Sequence, residues 1–216
     1  MNDRTKKITA IGMISALAFL MVLTFRIPVV LFLKYEPKDV IITLGGFIWG
    51  PAAAFISSVI ASMIEMVTIS ETGIWGLVMN ILSTCSFACT SSLIYKKKRT
   101  LRGAVIGLTV GLITMVCAMM LWNYLITPLY MGYPREAVAA LLIPAFLPFN
   151  LIKGGLNASI TFLLYKPVVT ALRKAGYIKV TSETQTEQKK PVVLWAFMGA
   201  VIVICVLLIL HMNGTI

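Results

Sequence analysis

Apolar residues run through this chain in long unbroken blocks, and polar residues interrupt those blocks at helical spacing. Blocks of this length and apolarity predict membrane helices, placed at about 8–25, 39–50, 51–69, 75–95, 101–128, 143–166 and 191–210. The block 143–166 is the most informative. It carries Asn150, Lys153 and Asn157, which at about 100° per residue fall within about 60° of one another. Gly154 and Thr161 share the stripe. Polar groups inside a bilayer are costly and face a bundle interior or a cavity, so a lysine between two amides marks a candidate site. The alternative is that the stripe joins helices through small residues and amides, a role in which Lys153 adds only cost.

Gly50-Pro51 is either a kink in one long helix or a tight turn between two. Charge decides between them. With a turn and a cytoplasmic N-terminus, the N-terminal arm, the loop 96–102 and the segment 166–190 all lie inside. Together they hold 14 of the 19 Lys and Arg against three acids, which is the whole of the net +11. The remaining five cations (Arg26, Lys34, Lys38, Arg135, Lys153) balance five acids (Glu36, Asp39, Glu65, Glu71, Glu136). A kink would put most of the basic charge on the outer side, against the positive-inside rule. The turn leaves a second helix of about 11 or 12 residues, too short to span alone, with the loop Arg26–Lys38 filling the gap. That loop mixes apolar and charged residues. It reads either as a lid over a cavity or as an interfacial segment anchored by Lys34 and Tyr35.

The composition, 59% hydrophobic and 12% charged, agrees with an all-α integral membrane protein and assigns the positive charge to sidedness rather than to nucleic acid. The apolar run 8–25 is long for a signal sequence and reads as a retained first helix. Cys85, Cys89, Cys117 and Cys205 all sit in apolar segments. They read as small buried hydrophobes, not as disulfides or a metal site. There is no Walker A motif, and the single histidine, His211, gives no basis for a catalytic triad, so neither an ATPase nor an enzyme is expected. Other polar positions gather towards the outer side. They are Ser58, Ser62 and Glu65 in 51–69, Asn80 and Thr84 in 75–95, and Asn123, Thr127 and Tyr130 beside Trp122 and Tyr124 at the end of 101–128. Glu65 either pairs with Lys153 or reaches the interface. Amides, hydroxyls, aromatic rings and one lysine make the inventory of a binding site for a polar, ring-bearing solute. Residues 178–190 read as a polar cytoplasmic linker, and 191–210 as a plain lipid-facing anchor on which solute binding does not depend.

The lid loop leading into KYEPKDV, the GGFIWGP turn, the NYLITPLY end of the fifth long block and PFNLIKGG in the sixth carry a family resemblance over roughly residues 8–172. The chain resembles the substrate-binding S component of energy-coupling factor (ECF) vitamin transporters, and within them the riboflavin-specific type. The resemblance implies a six-helix bundle over 1–177 with an outward-facing riboflavin site, no cofactor, and docking on a membrane T component energised by two ATPases. It carries the pocket role onto Asn123, Tyr124, Asn150 and Lys153, and onto Asn80. It also implies docking of the first helix through a small-residue face, here Gly12 and Ala16, whose four-residue spacing by itself reads equally as packing within the bundle. The departure from the six-helix plan is a seventh, C-terminal transmembrane helix in 191–216.

Overall fold

The computed structural model describes residues 3–30, 33–70, 72–174 and 192–212. The linker expected at 178–190 lies outside them. Among the described residues, six helices are long and apolar enough to cross a membrane: Arg4–Thr24, Pro51–Thr68, Gly73–Lys97, Leu101–Leu125, Arg135–Leu172 and Leu194–Met212. The second expected block, 39–50, forms α2 (Lys38–Trp49), with 12 residues. At 1.5 Å per residue it is about 18 Å long, well short of a ~30 Å hydrocarbon core. The turn reading holds. Gly50 at φ +92° ends α2 and donates its N–H to Gly46 O at 2.8 Å, and Pro51 opens α3 (Pro51–Thr68) at its first turn, where a missing N–H costs nothing. The two helices fold back so closely that a Cβ on Gly46 would lie 2.9 Å from the Cβ of Ala54.

The segment between α1 (Asp3–Thr24) and α2 is not irregular. It forms an antiparallel hairpin of β1 (Ile27–Val30) and β2 (Leu33–Tyr35), with Ile27 opposite Tyr35 and Pro28 opposite Lys34. The register shifts between Pro28 and Val30. This hairpin is the one departure from an all-helical architecture among the described residues.

Two long helices widen into π turns. α4 (Gly73–Thr84) passes through Cys85–Cys89 into α5 (Thr90–Lys97), and α8 (Arg135–Leu141) passes through Leu142–Phe146 into α9 (Leu147–Lys174). The second contains Pro144, whose missing N–H removes one helical bond. The stretch 135–141, read from sequence as loop, is therefore helical.

α6 (Leu101–Leu125) is capped by Thr100, whose Oγ1 accepts from Gly103 N at 3.1 Å, and is followed by the short α7 (Thr127–Met131). It lies against the preceding helix through Gly103, Gly107 and Gly111. A Cβ at Gly107 would stand 2.7 Å from Ser91 O, and one at Gly111 2.7 Å from Phe87 O. Small residues at this spacing let two backbones meet in a bilayer, where apolar burial gives no net drive. Gly154 serves the same end between α9 and α6, facing Leu112 and Met115.

Large apolar side chains cover the outside, for example Leu17, Ile113, Leu121 and Leu207, while Lys38, Asp39, Glu65 and Asn157 are buried. That inversion is what a lipid solvent selects. α10 (Val192–Met212) packs along α9 and presents most of its surface outward, but Cys205 and Ile209 are buried. It is thus an anchor with one committed face.

Candidate solute-binding site

Lys7, the Gly50-Pro51 turn, Lys96 and Arg99 surround a cleft at one end of the bundle. The hairpin closes the opposite end, over a cavity with about 880 Å³ of empty space, part of it open to solvent. The cavity is walled by the hairpin, α3, α4, α6, α7 and α9, and the polar positions read from sequence meet there. Asn80, Asn123, Asn150 and Lys153 all line it. Tyr124 does not. It is 41% exposed, with the Arg135 guanidinium 5.7 Å from its ring centre. The aromatic wall is instead Trp75 and Tyr130, stacked at 6.4 Å and 24°. Trp122 is packed in the core. Trp75 was missed by sequence reading, since it lies about 140° round α4 from Asn80, outside the stripe of Asn80 and Thr84.

Two of the amides, Asn123 and Asn150, are partly committed to their own helices. Asn123 donates to Met119 O at 2.8 Å and accepts from Thr127 Oγ1 at 3.0 Å. Asn150 donates to Phe146 O at 2.8 Å, which leaves its carbonyl oxygen and second N–H for the cavity. Such side-chain bonds fix the rotamer, so the remaining polar atoms are held in position before a ligand arrives.

The lysine of the stripe is paired, but not with Glu65. Lys153 Nζ stands 3.5 Å from Asp39 Oδ2 and donates to Ser83 Oγ at 3.3 Å. Asp39 is fully buried at the start of α2. It accepts from Thr84 Oγ1 at 2.6 Å and from Asn157 Nδ2 at 3.1 Å. Asn157 in turn accepts from Tyr35 OH at 3.1 Å. Burial, and then the charge of Asp39, push the Tyr35 phenol up, so it stays a donor. Asn157 therefore stands behind the cavity, holding Asp39 rather than facing a solute.

Glu65 is taken by Lys38, which also lies 3.3 Å from Glu36, and Asn80 Nδ2 donates to Glu65 Oε1 at 2.9 Å. Arg26 closes the series. It bonds Glu36 at 3.0 Å and Ile69 O at 3.0 Å, tying the hairpin to the end of α3. Three buried or half-buried cations thus meet three carboxylates, the arrangement that makes charge tolerable away from water. Sequence reading missed Asp39 and Lys38 as members. The signal was present in the exact balance of the charges outside the basic loops.

A helical membrane bundle with a cavity lined by amide, carboxylate and lysine side chains beneath a hairpin has the architecture of a membrane-embedded binding protein. The chain belongs to the ECF transporter, substrate-specific component family, whose model matches residues 6–165. It is 28% identical over 180 residues to the riboflavin transporter RibU of Staphylococcus aureus (strain TCH60), covering 80% of this chain and 95% of that one. It is also 28% identical over 186 residues to the riboflavin transporter FmnP of Bacillus subtilis (strain 168), covering 80% and 98%. A solved chain described as "Structure and mechanism of the S component of a bacterial ECF transporter" superimposes with a TM-score of 0.67 at 28% identity, covering 79% of this chain and 99% of that one. The protein is therefore a multi-pass membrane transport component and not an enzyme.

Proposed function

We propose that the protein binds riboflavin in the cavity beneath the hairpin and serves as the riboflavin-specific subunit of an ECF importer, working with a T component and two ATPases. The observation that carries this reading is the set of positioned polar atoms on Asn150 and Lys153, opposite the Trp75–Tyr130 pair. The pyrimidine edge of isoalloxazine presents carbonyl, N–H and carbonyl, and a carboxamide both donates and accepts against it. Lys153 supplies a further donor to a carbonyl or a ribityl hydroxyl, and the aromatic pair suits a flat ring. Two relatives, each 28% identical to this chain, are named riboflavin transporters.

The cations of the site favour an uncharged solute. Arg26, Lys38 and Lys153 each already face a carboxylate, and Lys34, which also lines the cavity, is not free either. A phosphate would require uncommitted charge-assisted donors, so riboflavin fits better than FMN. The positive-inside rule puts the N-terminus and 96–102 in the cytoplasm and the cavity towards the outside. Gly12 and Ala16 face away from the bundle, and a Cβ on Gly12 would meet nothing within 4 Å. They form the small-residue face through which α1 docks on the T component.

The test is titration of riboflavin and FMN into the purified protein, read by flavin fluorescence. Saturable one-to-one binding of riboflavin, with weaker binding of FMN, is expected. A protein that binds neither, or binds an unrelated vitamin in their place, defeats the assignment.

A further inference from the structure

We infer that α10 is a working part of the binding site: it braces the hairpin and so sets how long a solute stays in the cavity. For the ligand, this rests on the proposed riboflavin site. For the bracing itself it does not.

α10 lies beyond the family match, which ends at residue 165, yet it is not loosely attached. A Cβ on Gly155 of α9 would lie 3.4 Å from Cys205 Sγ, Phe162 and Trp195 meet edge to face at 6.1 Å, and Ser159 Oγ reaches Met198 Sδ at 3.6 Å. These contacts run α10 along α9 and bring its last turns to the hairpin. There Cys205 and Ile209 join one buried cluster with Val29, Leu33 and Tyr35, and Val29 is fully buried.

The same hairpin also borders the solute, since Leu33, a member of that cluster, and Lys34 line the cavity. Tyr35 begins the chain of contacts through Asn157 and Asp39 to Lys153. An isolated two-stranded hairpin is marginal at best and must be held by packing. On the polar side that hold is Arg26, bound to Glu36 and Ile69 O. On the apolar side α10 supplies part of it. Lifting the hairpin off the bundle takes Val29, Leu33 and Tyr35 out of the cluster that Cys205 and Ile209 complete, and closing it restores that packing. Weakening that contact therefore destabilises the closed state and speeds release.

The test uses the full chain with Ile209→Ala, the conservative Ile209→Val, and Val203→Ser on the outward face of α10, where Val203 is 58% exposed. Riboflavin dissociation is followed by recovery of flavin fluorescence, and amide hydrogen exchange over 27–35 is measured without ligand. Ile209→Ala is expected to raise the dissociation rate at least fivefold and to speed exchange in the hairpin. Ile209→Val should produce a smaller change in the same direction, and Val203→Ser none. If Ile209→Ala does not fold, the Val variant alone reads the contact, with about a twofold increase expected. Wild-type dissociation and wild-type hairpin exchange in a folded Ile209 variant overturn the inference. If the unmodified protein binds no riboflavin, the proposed function fails, while hairpin exchange still decides whether α10 braces the lid.

Discussion

Lys153 and Asp39 are partners of unequal dependence. Asp39 has Thr84 and Asn157 in addition to Lys153, whereas Lys153 without Asp39 keeps only Ser83 among its contacts in the described residues. Removing the acid thus leaves a buried cation, and breaking a buried pair in this way costs about 3–5 kcal/mol. Asp39→Ala is expected to lower the unfolding midpoint in detergent more than Lys153→Met does, with Asp39→Asn between them. Binding should show the opposite emphasis. Asn150→Ala and Lys153→Met are each expected to weaken riboflavin binding at least tenfold, about 1.4 kcal/mol, with the fold intact. Unchanged dissociation constants in both, by fluorescence titration, would return the stripe to a helix-joining role. The stripe itself was legible because a helix has a fixed period, which puts Asn150 and Lys153 on one face without knowledge of the fold. The partner of Lys153 was not legible. Periodicity gives the direction of a side chain but not which of two acids, on α2 or α3, stands at its depth. Tyr124 failed for a related reason: it adjoins Asn123 in sequence, so the helix turns it about 100° away from the cavity.

Helices were readable where apolar length decided the matter, and less so where local chemistry did. The Gly50-Pro51 turn followed from charge and from the positional preferences of glycine and proline. The π turns at Cys85–Cys89 and Leu142–Phe146 left no mark on the hydrophobic pattern, because one extra residue per turn does not interrupt an apolar run. The hairpin was hidden as well. Its strands are four and three residues long, too short for alternation to stand out. The glycines of α6 show what holds the elements together. Gly107→Val places a branched side chain where even a Cβ would meet Ser91 O at 2.7 Å. Overpacking of this kind costs about 1–3 kcal/mol. A lowered unfolding midpoint is expected for Gly107→Val, and none for Gly12→Ala, whose Cβ enters open space. Equal midpoints for the two would show that α5 and α6 separate without loss.

At the scale of the molecule, the structure separates the charges by end, as the proposed orientation requires. Lys7, Lys96 and Arg99 share one end, and the neutralised cluster of Arg26, Glu36, Lys38, Glu65, Asp39 and Lys153 lies towards the other. With Cys117 replaced, a cysteine at Lys98 is expected to resist impermeant thiol reagents in intact cells, and one at Tyr133, 58% exposed, to react. Labelling at Lys98 would invert the proposed orientation. The same separation makes binding and coupling independently mutable. Gly12 and Ala16 are exposed on α1, while Ile14 and Ala18 on its other face are buried. That geometry removes the alternative in which Gly12 and Ala16 serve internal packing. A tryptophan at either position therefore projects into lipid in the isolated protein and displaces nothing inside the bundle. Neither residue borders the cavity, which lies near the hairpin, whereas Gly12 sits in the half of α1 that leads from Lys7. Gly12→Trp or Ala16→Trp is thus expected to leave riboflavin affinity within about threefold, or ~0.6 kcal/mol, and to leave the unfolding midpoint unchanged. Uptake and co-purification with the T component should both be lost, because bulk at a close helix contact has no space to enter. Normal transport by both variants would place the docking face on another helix.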